Sequence, residues 1–292
     1  AALAGCRDGE SAPEPDADTR YPYEPPRTDF GPTIGTDATL EIATWNLENF
    51  PASSATPKLV ADLIATMNLD VIVVEEIAND AAWDELISRL RDHDGVLSTH
   101  QYSTTSYQKI GVIYRTSLVS VAPFELLFAS DGWAWPRPAL SVPVTIDGST
   151  MELIGVHLKA GVGYEDADRR RQAVAQLDTF LRGQIDAGGE SEIVLLGDYN
   201  EIVTDPDGRD VLAPLLTAPE RYTMRTEPSA VAGAITYLGF GGKFIDHVTT
   251  TAALDAGWTT ARLEVPRLDE VFTQYRSMVS DHLPAVLIAP RP

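Results

Sequence analysis

Asp198, Asn200 and Glu201 crowd the end of "IVLLGDYNE", directly after four apolar residues and a glycine. Charged and amide groups that follow an apolar run are costly to bury unpaired, and this chain repeats the pattern. "TWNLEN" carries Asn46, Glu48 and Asn49, "VVEEI" carries Glu75 and Glu76, and "GVHLK" carries His157 and Lys159. "FIDHV" adds Asp246 and His247, and "VSDHLP" adds Asp281 and His282. Each has a plain structural reading when taken alone: Asn46 as a turn former, His157 as a satisfied core histidine, Asp198 with Asn200 as an Asx turn, Asp281 as a cap before Pro284. Glu75 and Glu76 point to opposite faces of a strand, so at most one faces a given site. Several such groups at one sheet edge imply a shared hydrogen-bonded or metal-bound site. The Glu76 and Asp281 carboxylates and the Asn46 amide are hard oxygen donors that suit Mg²⁺ or Mn²⁺. Histidines beside acids can be oriented for proton transfer. A divalent ion with acid, base and amide donors is equipment for phosphoryl transfer.

Periodicity indicates the elements that position these groups. "ATLEIATWNLENF" alternates as a strand, and Pro57 opens a helix in which Leu59, Leu63, Ile64 and Met67 recur at helical spacing. Asp70 leads into the apolar strand "VIVV", and Asn79 or Asp80 caps a second helix that runs to Leu90. Shorter strands are expected at "KIGVIYR", "LSVPVTI" and "MELIGVHLK", the last two joined by the hairpin signal "DGS". A long helix spans about Asp166 to Ile185, then "SEIVLLGDYN" returns as a strand that Gly197 is expected to break. Further strands are expected at "FIDHVTTT", "TTARLEV" and "AVLIAP". With no internal repeat and no second linker, residues 38–292 read as one mixed α/β domain.

Composition narrows the partners. The 292 residues are 44% apolar, enough for a large core, and no apolar stretch approaches the roughly 18 residues that span a bilayer. A balance of 22 basic against 43 acidic residues, net −21, disfavours nonspecific adhesion to nucleic acid or anionic lipid. A polyanionic substrate must therefore meet a metal or a local patch. Arg169, Arg170 and Arg171 with Lys159 and Lys243 are the candidate patch; the alternative is a solvated helix face balanced by Glu165, Asp166 and Asp168. The single cysteine, Cys6, excludes an intrachain disulfide. Its setting, "AALAGC", resembles the end of a bacterial lipoprotein signal, with residues 1–5 as the remnant and Cys6 as the lipid-bearing residue. That reading places the protein in the bacterial cell envelope or outside the cell as a lipid-anchored lipoprotein. Residues 6–37, rich in Pro and acid, are expected to form a disordered linker.

In this order, "ATWNLENF", "DVIVVEEI", "WPRPAL", "GVHLK", "LLGDYN", "FIDHV" and "SDHLP" resemble the endonuclease/exonuclease/phosphatase (DNase I-like) superfamily, and in particular its bacterial secreted nuclease-like members. The resemblance runs from about Leu40 to Ile288 and implies an α/β fold: a four-layer sandwich with two central mixed β-sheets flanked by helices, and a site at one end. It implies Asn46, Glu76 and Asp281 on the metal side. It also implies His282 at the scissile phosphate, as base or clamp, held by Asp246. Asp198 would position or deprotonate water, Asn200 would donate to the phosphorus oxygens, and His157 would serve the phosphate or leaving group. Arg137 and Lys159 would meet substrate charge. The chain departs from the DNase I branch where an acid should steady the first histidine: "SYQKIGVIYR" offers Gln108 and Lys109 instead. His157 is thereby left to act as an acid or only to bind phosphate.

The resemblance implies a divalent-metal-dependent phosphodiester hydrolase, a nuclease first, in which water attacks phosphorus. The alternative is a phosphomonoesterase or phospholipase C-type enzyme acting on inositol phosphate or sphingomyelin. For the latter, "SDGWAWPRP" with Trp133 and Trp135 is the nearest membrane-gripping segment. A binding protein without catalysis is disfavoured, because every catalytic position holds a competent residue. The expected partner is a phosphate-ester substrate, nucleic acid first, met by a monomer that touches membrane only through a lipid at Cys6.

Overall fold

Apolar side chains at alternate positions of β1 (Thr39–Phe50) enter different layers: Leu40 and Ile42 pack inward between two sheets, whereas Ala43 and Trp45 pack outward against helices. The first sheet runs β12 (Arg262–Glu264), β13 (Ala285–Pro290), β1, β2 (Val71–Ile77), β4 (Lys109–Arg115) and β3 (His93–Leu97). The second runs β10 (Tyr222–Met224), β11 (Asp246–Thr251), β9 (Ile193–Asp198), β8 (Ser149–His157), β7 (Ala139–Ile146) and β5 (Val119–Val121), with β6 (Glu125–Leu127) also on β7. The β1–β2 and β8–β9 pairs are parallel and the others antiparallel, so both sheets are mixed.

Val71, Val73, Leu153, Val194, Leu196 and Val248 fill the space between the sheets. Helices α1 (Thr56–Met67) and α2 (Asp80–Arg89) cover the outer face of the first sheet, with Leu63, Ile64, Trp83 and Leu86 against Trp45, Ile72 and Val74. Helix α3 (Tyr164–Asp186) covers the second sheet with Ala173, Val174, Leu177 and Leu181. The expected four-layer sandwich is what the chain forms. Local signals operate as anticipated: Asn79 caps α2 by accepting from Ala82 N at 3.0 Å, and Asp147 and Gly148 turn the β7–β8 hairpin with φ of 50° and 89°.

Two expectations change. Gly197 does not end its strand; β9 continues through it to Asp198. At φ 149°, a Cβ on Gly197 would stand 1.8 Å from the Val156 carbonyl oxygen, so glycine is what lets β9 lie so close to β8 and carry Asp198 into line. The computed structural model describes residues 23–292, so Cys6 and the first part of the expected linker, including residues 6–22, lie outside the described residues. Its remainder, 23–37, is held on the body of the protein. Arg27 N donates to Asp62 Oδ1 (2.9 Å), Phe30 N to Thr66 Oγ1 (3.1 Å) and Gly35 N to Met67 O (2.9 Å). Phe30 and Ile34 supply the apolar contacts that the acidic composition obscured, Phe30 against Phe272 and Ile34 within the core.

Candidate active site

Strand register delivers the polar clusters to one end. In the second sheet His157 pairs with Asp198, and Asp198 with Asp246, which sets the three in a row across β8, β9 and β11. In the first sheet Asn46 pairs with Glu75, and Asp281 and His282 immediately precede β13, the other neighbour of β1. Glu76, His157, Asp198, Asn200, Asp281 and His282 line one cavity of about 650 Å³, which Glu48, Tyr237 and Lys243 also border. Asn46 and Asp246 are buried beneath it.

The groups are bonded into a network. His282 Nδ1 lies 2.9 Å from Asp246 Oδ2. Asn46 Nδ2 donates to Asp198 Oδ2 (3.1 Å) and Glu76 Oε1 (3.4 Å), and Asn200 N donates to Asp198 Oδ1 (2.8 Å). Glu76 Oε2 accepts from Asn49 N (2.9 Å) and from Gln108 Nε2 (3.1 Å). His157 Nε2 stands 3.6 Å from Glu76 and 3.7 Å from Asp198, while its Nδ1 is buried with no partner. Among the described residues no carboxylate bonds His157 Nδ1.

Four non-glycine residues around the cavity have left-handed backbone: Glu48 (φ 43°), Asn49 (49°), Glu76 (63°) and Asn200 (52°). Such strain gathers where function over-determines the backbone. It also corrects the strict alternation expected of the two glutamates. The β2–β4 register shifts between Val74 and Ile77, so Glu76 turns into the cavity. Glu75 lies fully buried below, where Thr44 Oγ1 donates to it at 2.8 Å. Burial and then the neighbouring Asp246 hold the Glu75 carboxyl well above its usual range.

Charge is unevenly compensated. Burial, reinforced by Asp246, lifts the Asp198 carboxyl to about 7. Burial also opposes a proton on His282, but the Asp246 carboxylate, its hydrogen bond, and Asp198 and Asp281 outweigh it and push the imidazole up to about 10. His157 is driven well below its ordinary value by burial, then by Arg137 and His282, and is neutral. Burial raises both Glu48 and Asp281; Asp281 raises Glu48 further, and Glu76 raises Asp281.

Asp198, Asp246 and His282 present ligand atoms within 4.8 Å of one another. The His282–Asp246 hydrogen bond occupies that pair, so the three form a proton-holding network rather than a metal cage. The carboxylates of Glu48, Glu76 and Asp281, with the Asn46 amide nearby, form an oxygen donor set that fits a hard divalent cation. Sequence reasoning did not assign Glu48 to the metal side, although it lay within "TWNLEN"; Asp281 N donates to its carboxylate at 2.9 Å. Tyr237 had no signal, because only the fold brings its ring to 5.0 Å from His282.

The expected basic groups are placed elsewhere. Arg137 is buried behind His157 with Nη2 on Leu158 O (3.1 Å). Lys159 turns to Asp166 at 2.8 Å. The arginine run is not a free patch: Arg169 bonds to the Trp133 carbonyl, Arg171 pairs with Asp168 and Asp210, and Arg170 is buried on Glu201 at 2.6 Å. Helical spacing directs Arg170 inward toward the loops after β8 and β9. Of the five cations, Lys243 borders the cavity with no carboxylate of the described residues within salt-bridge reach, whereas Arg170 reaches it only while bound to Glu201.

Solved structures share this arrangement of strands at low identity. TDP2 from D. rerio, humanised by 14 mutations, is 16% identical with a TM-score of 0.63, over 86% of this chain and 98% of that one. The 3′ phosphatase NExo from Neisseria, bound to a product DNA hairpin, is 19% identical with a TM-score of 0.61, over 85% and 98%. A mannosyl-6-phosphatase from Bacteroides thetaiotaomicron is 14% identical with a TM-score of 0.62, over 86% and 99%. Those likenesses carry the fold alone. Among curated proteins, none matches the sequence significantly. The sequence model of the Endonuclease/Exonuclease/phosphatase family spans residues 43–282, from β1 to the histidine before β13, and the chain belongs to that family.

Proposed function

We propose that the protein is a divalent-metal-dependent phosphodiester hydrolase that acts first on nucleic acid. The observation that carries this reading is a single cavity in which the Asp246-held His282 and the Asp198–Asn200 turn stand together, with ligand atoms of Asp198 and His282 within 4.8 Å. Surrounded by Asp246, Asp198 and Asp281, the His282 ring favours the imidazolium, which makes it a clamp for a phosphate oxygen rather than a base. Asp198, oriented by Asn46 and Asn200, holds the attacking water and takes its proton. One Asn200 amide hydrogen is used on Leu158 O at 3.2 Å, which leaves the other for a phosphoryl oxygen. His157, neutral and with Nδ1 unpartnered among the described residues, hydrogen-bonds the phosphate and relays no proton. Arg137 adds positive charge from behind it. Held by Glu76 and Asp281, with Asn46 and Glu48 beside them, Mg²⁺ or Mn²⁺ would polarise the P–O bonds and offset the charge that builds on them.

Nucleic acid is placed first because two structures similar to this chain hold DNA products: NExo with its hairpin, and D. rerio TDP2 with single-strand DNA. One observation favours a small phosphomonoester instead, since Asp205 and Asp207 border the same cavity and repel a long polyanion. Purified protein with Mg²⁺ or Mn²⁺, assayed on single-stranded and duplex DNA, inositol phosphates, sugar phosphates and sphingomyelin, separates the readings. Cleavage of DNA that EDTA abolishes is expected; turnover of monoesters alone discards the nuclease assignment. The same proposal keeps the lipid anchor at Cys6 and an envelope or extracellular location, tested by membrane fractionation of a Cys6→Ser variant.

A further inference from the structure

A hairpin that plays no part in these steps rises from the catalytic cluster. Tyr237 N donates to Lys243 O (2.9 Å) and Lys243 N to Tyr237 O (3.0 Å), and inside this pair Gly242 N closes a turn on Gly239 O (3.0 Å). Gly241, at φ 83°, takes the third position of that turn and Phe240 the second. Phe240 is 100% exposed. The stem, by contrast, is fixed to the site. Leu238 N donates to Asp281 O at 2.7 Å, Tyr237 forms a β-bridge with His282, and the Tyr237 and His282 rings lie 5.0 Å apart. A Cβ on Gly239 would stand 2.1 Å from Tyr237 Cε1, so the tyrosine ring lies directly against the backbone of the residue before Phe240. Contacts therefore run without interruption from the His282 ring through Tyr237 to the base of the exposed phenylalanine.

A loop bordering the same cavity behaves alike. Val162 borders it together with Tyr237 and Lys243, and Val162 and Tyr164 are each 95% exposed. An anchored hairpin that holds a bare phenyl ring in water forgoes the burial of a large apolar surface, which contact with a ligand would recover. The surroundings select the ligand. The turn residues beside Phe240 are glycines, so the tip offers one flat ring rather than a broad apolar area. A flat π-surface a short step from a phosphate site matches a nucleobase next to the scissile bond.

We propose that Phe240 is an aromatic finger on which an unpaired base flanking the scissile phosphate stacks, so that the substrate is single-stranded nucleic acid. This rests on the nucleic-acid reading above. Stacking of one base on an aromatic ring corresponds to a change of about five- to 150-fold in binding. The test compares two single-stranded oligonucleotides, one intact and one with abasic sites beside the scissile bond, for the wild type, Phe240→Ala and Phe240→Trp. The expected result is a KM for the abasic strand about tenfold above that for the intact strand in the wild type. That ratio should fall to near one in Phe240→Ala and persist in Phe240→Trp. Cleavage of both strands with equal KM by the wild type, or an undiminished ratio in Phe240→Ala, overturns the finger and leaves the nuclease reading standing. Failure of the wild type to cleave either strand overturns both. Co-sedimentation with phosphatidylcholine vesicles that Phe240→Ala abolishes, with the oligonucleotide ratio unchanged, assigns the ring to a lipid surface and overturns the proposal.

Discussion

His282 is the residue whose loss should separate chemistry from folding. It lies at the cavity wall, and its ring is held by one carboxylate, so His282→Ala should lower kcat by about 10²- to 10⁴-fold with a melting temperature within a few degrees of wild type. Retention of the full rate in that variant would mean that the centre lies elsewhere. A second residue tests stability rather than catalysis. Glu41, near the start of β1, is buried with neither carboxylate oxygen hydrogen-bonded among the described residues, and burial lifts its carboxyl to about 7. A pKa raised by folding contributes stability below the unfolded value near 4.5 and loses it as pH rises through 7. Melting curves of wild type and Glu41→Gln should therefore diverge between about pH 5 and 8, with the variant favoured at the alkaline end. Parallel profiles would show that Glu41 finds donors in solution.

At the scale of elements, the close approach of β8 and β9 holds His157 and Asp198 in register. Gly197→Ala, whose methyl would meet the Val156 carbonyl, should destabilise the protein by several kcal/mol or keep it from folding, as read by denaturant titration; a shift under about 1 kcal/mol would refute that packing. Arg170 ties the ends of the same strands, with Nε on Glu201 and Nη1 on the carbonyls of Lys159 (2.7 Å) and Gly161 (2.9 Å). Arg170→Met leaves Glu201 buried without its cation and should cost about 3–5 kcal/mol in the same titration, with kcat falling as the loops loosen; unchanged values would make the pair ornamental. Strands whose apolar runs are long, such as β1, β2, β8, β9 and β13, were legible in the sequence, as was the Asn79 cap. β3, β5, β6 and β10 were not, because three to five residues are too few to display a period. The polar site residues were legible as types that follow apolar runs. What pattern could not supply was side-chain direction: Arg170 and Lys159 sit in a visibly basic stretch yet are consumed by Glu201 and Asp166.

Over the whole molecule, charge sets the substrate's approach. Most proteins that bind polyanions lose affinity as salt rises, because counterions are released. Here the net charge is −21, and the arginines of α3 are bonded within the protein. With saturating Mg²⁺, KM for an oligonucleotide should stay level or fall as monovalent salt increases from about 0.02 to 0.15 M, because screening weakens repulsion. A steep rise in KM would reveal a cationic track. The topology has a consequence of its own. Residues 39–44 of β1 pair with 285–290 of β13, and the candidate site residues Asn46, Asp281 and His282 lie on or just before these two strands. Residues 45–284 must therefore be synthesised before β1 can gain that neighbour. A product that stops short of β13 should therefore be inert.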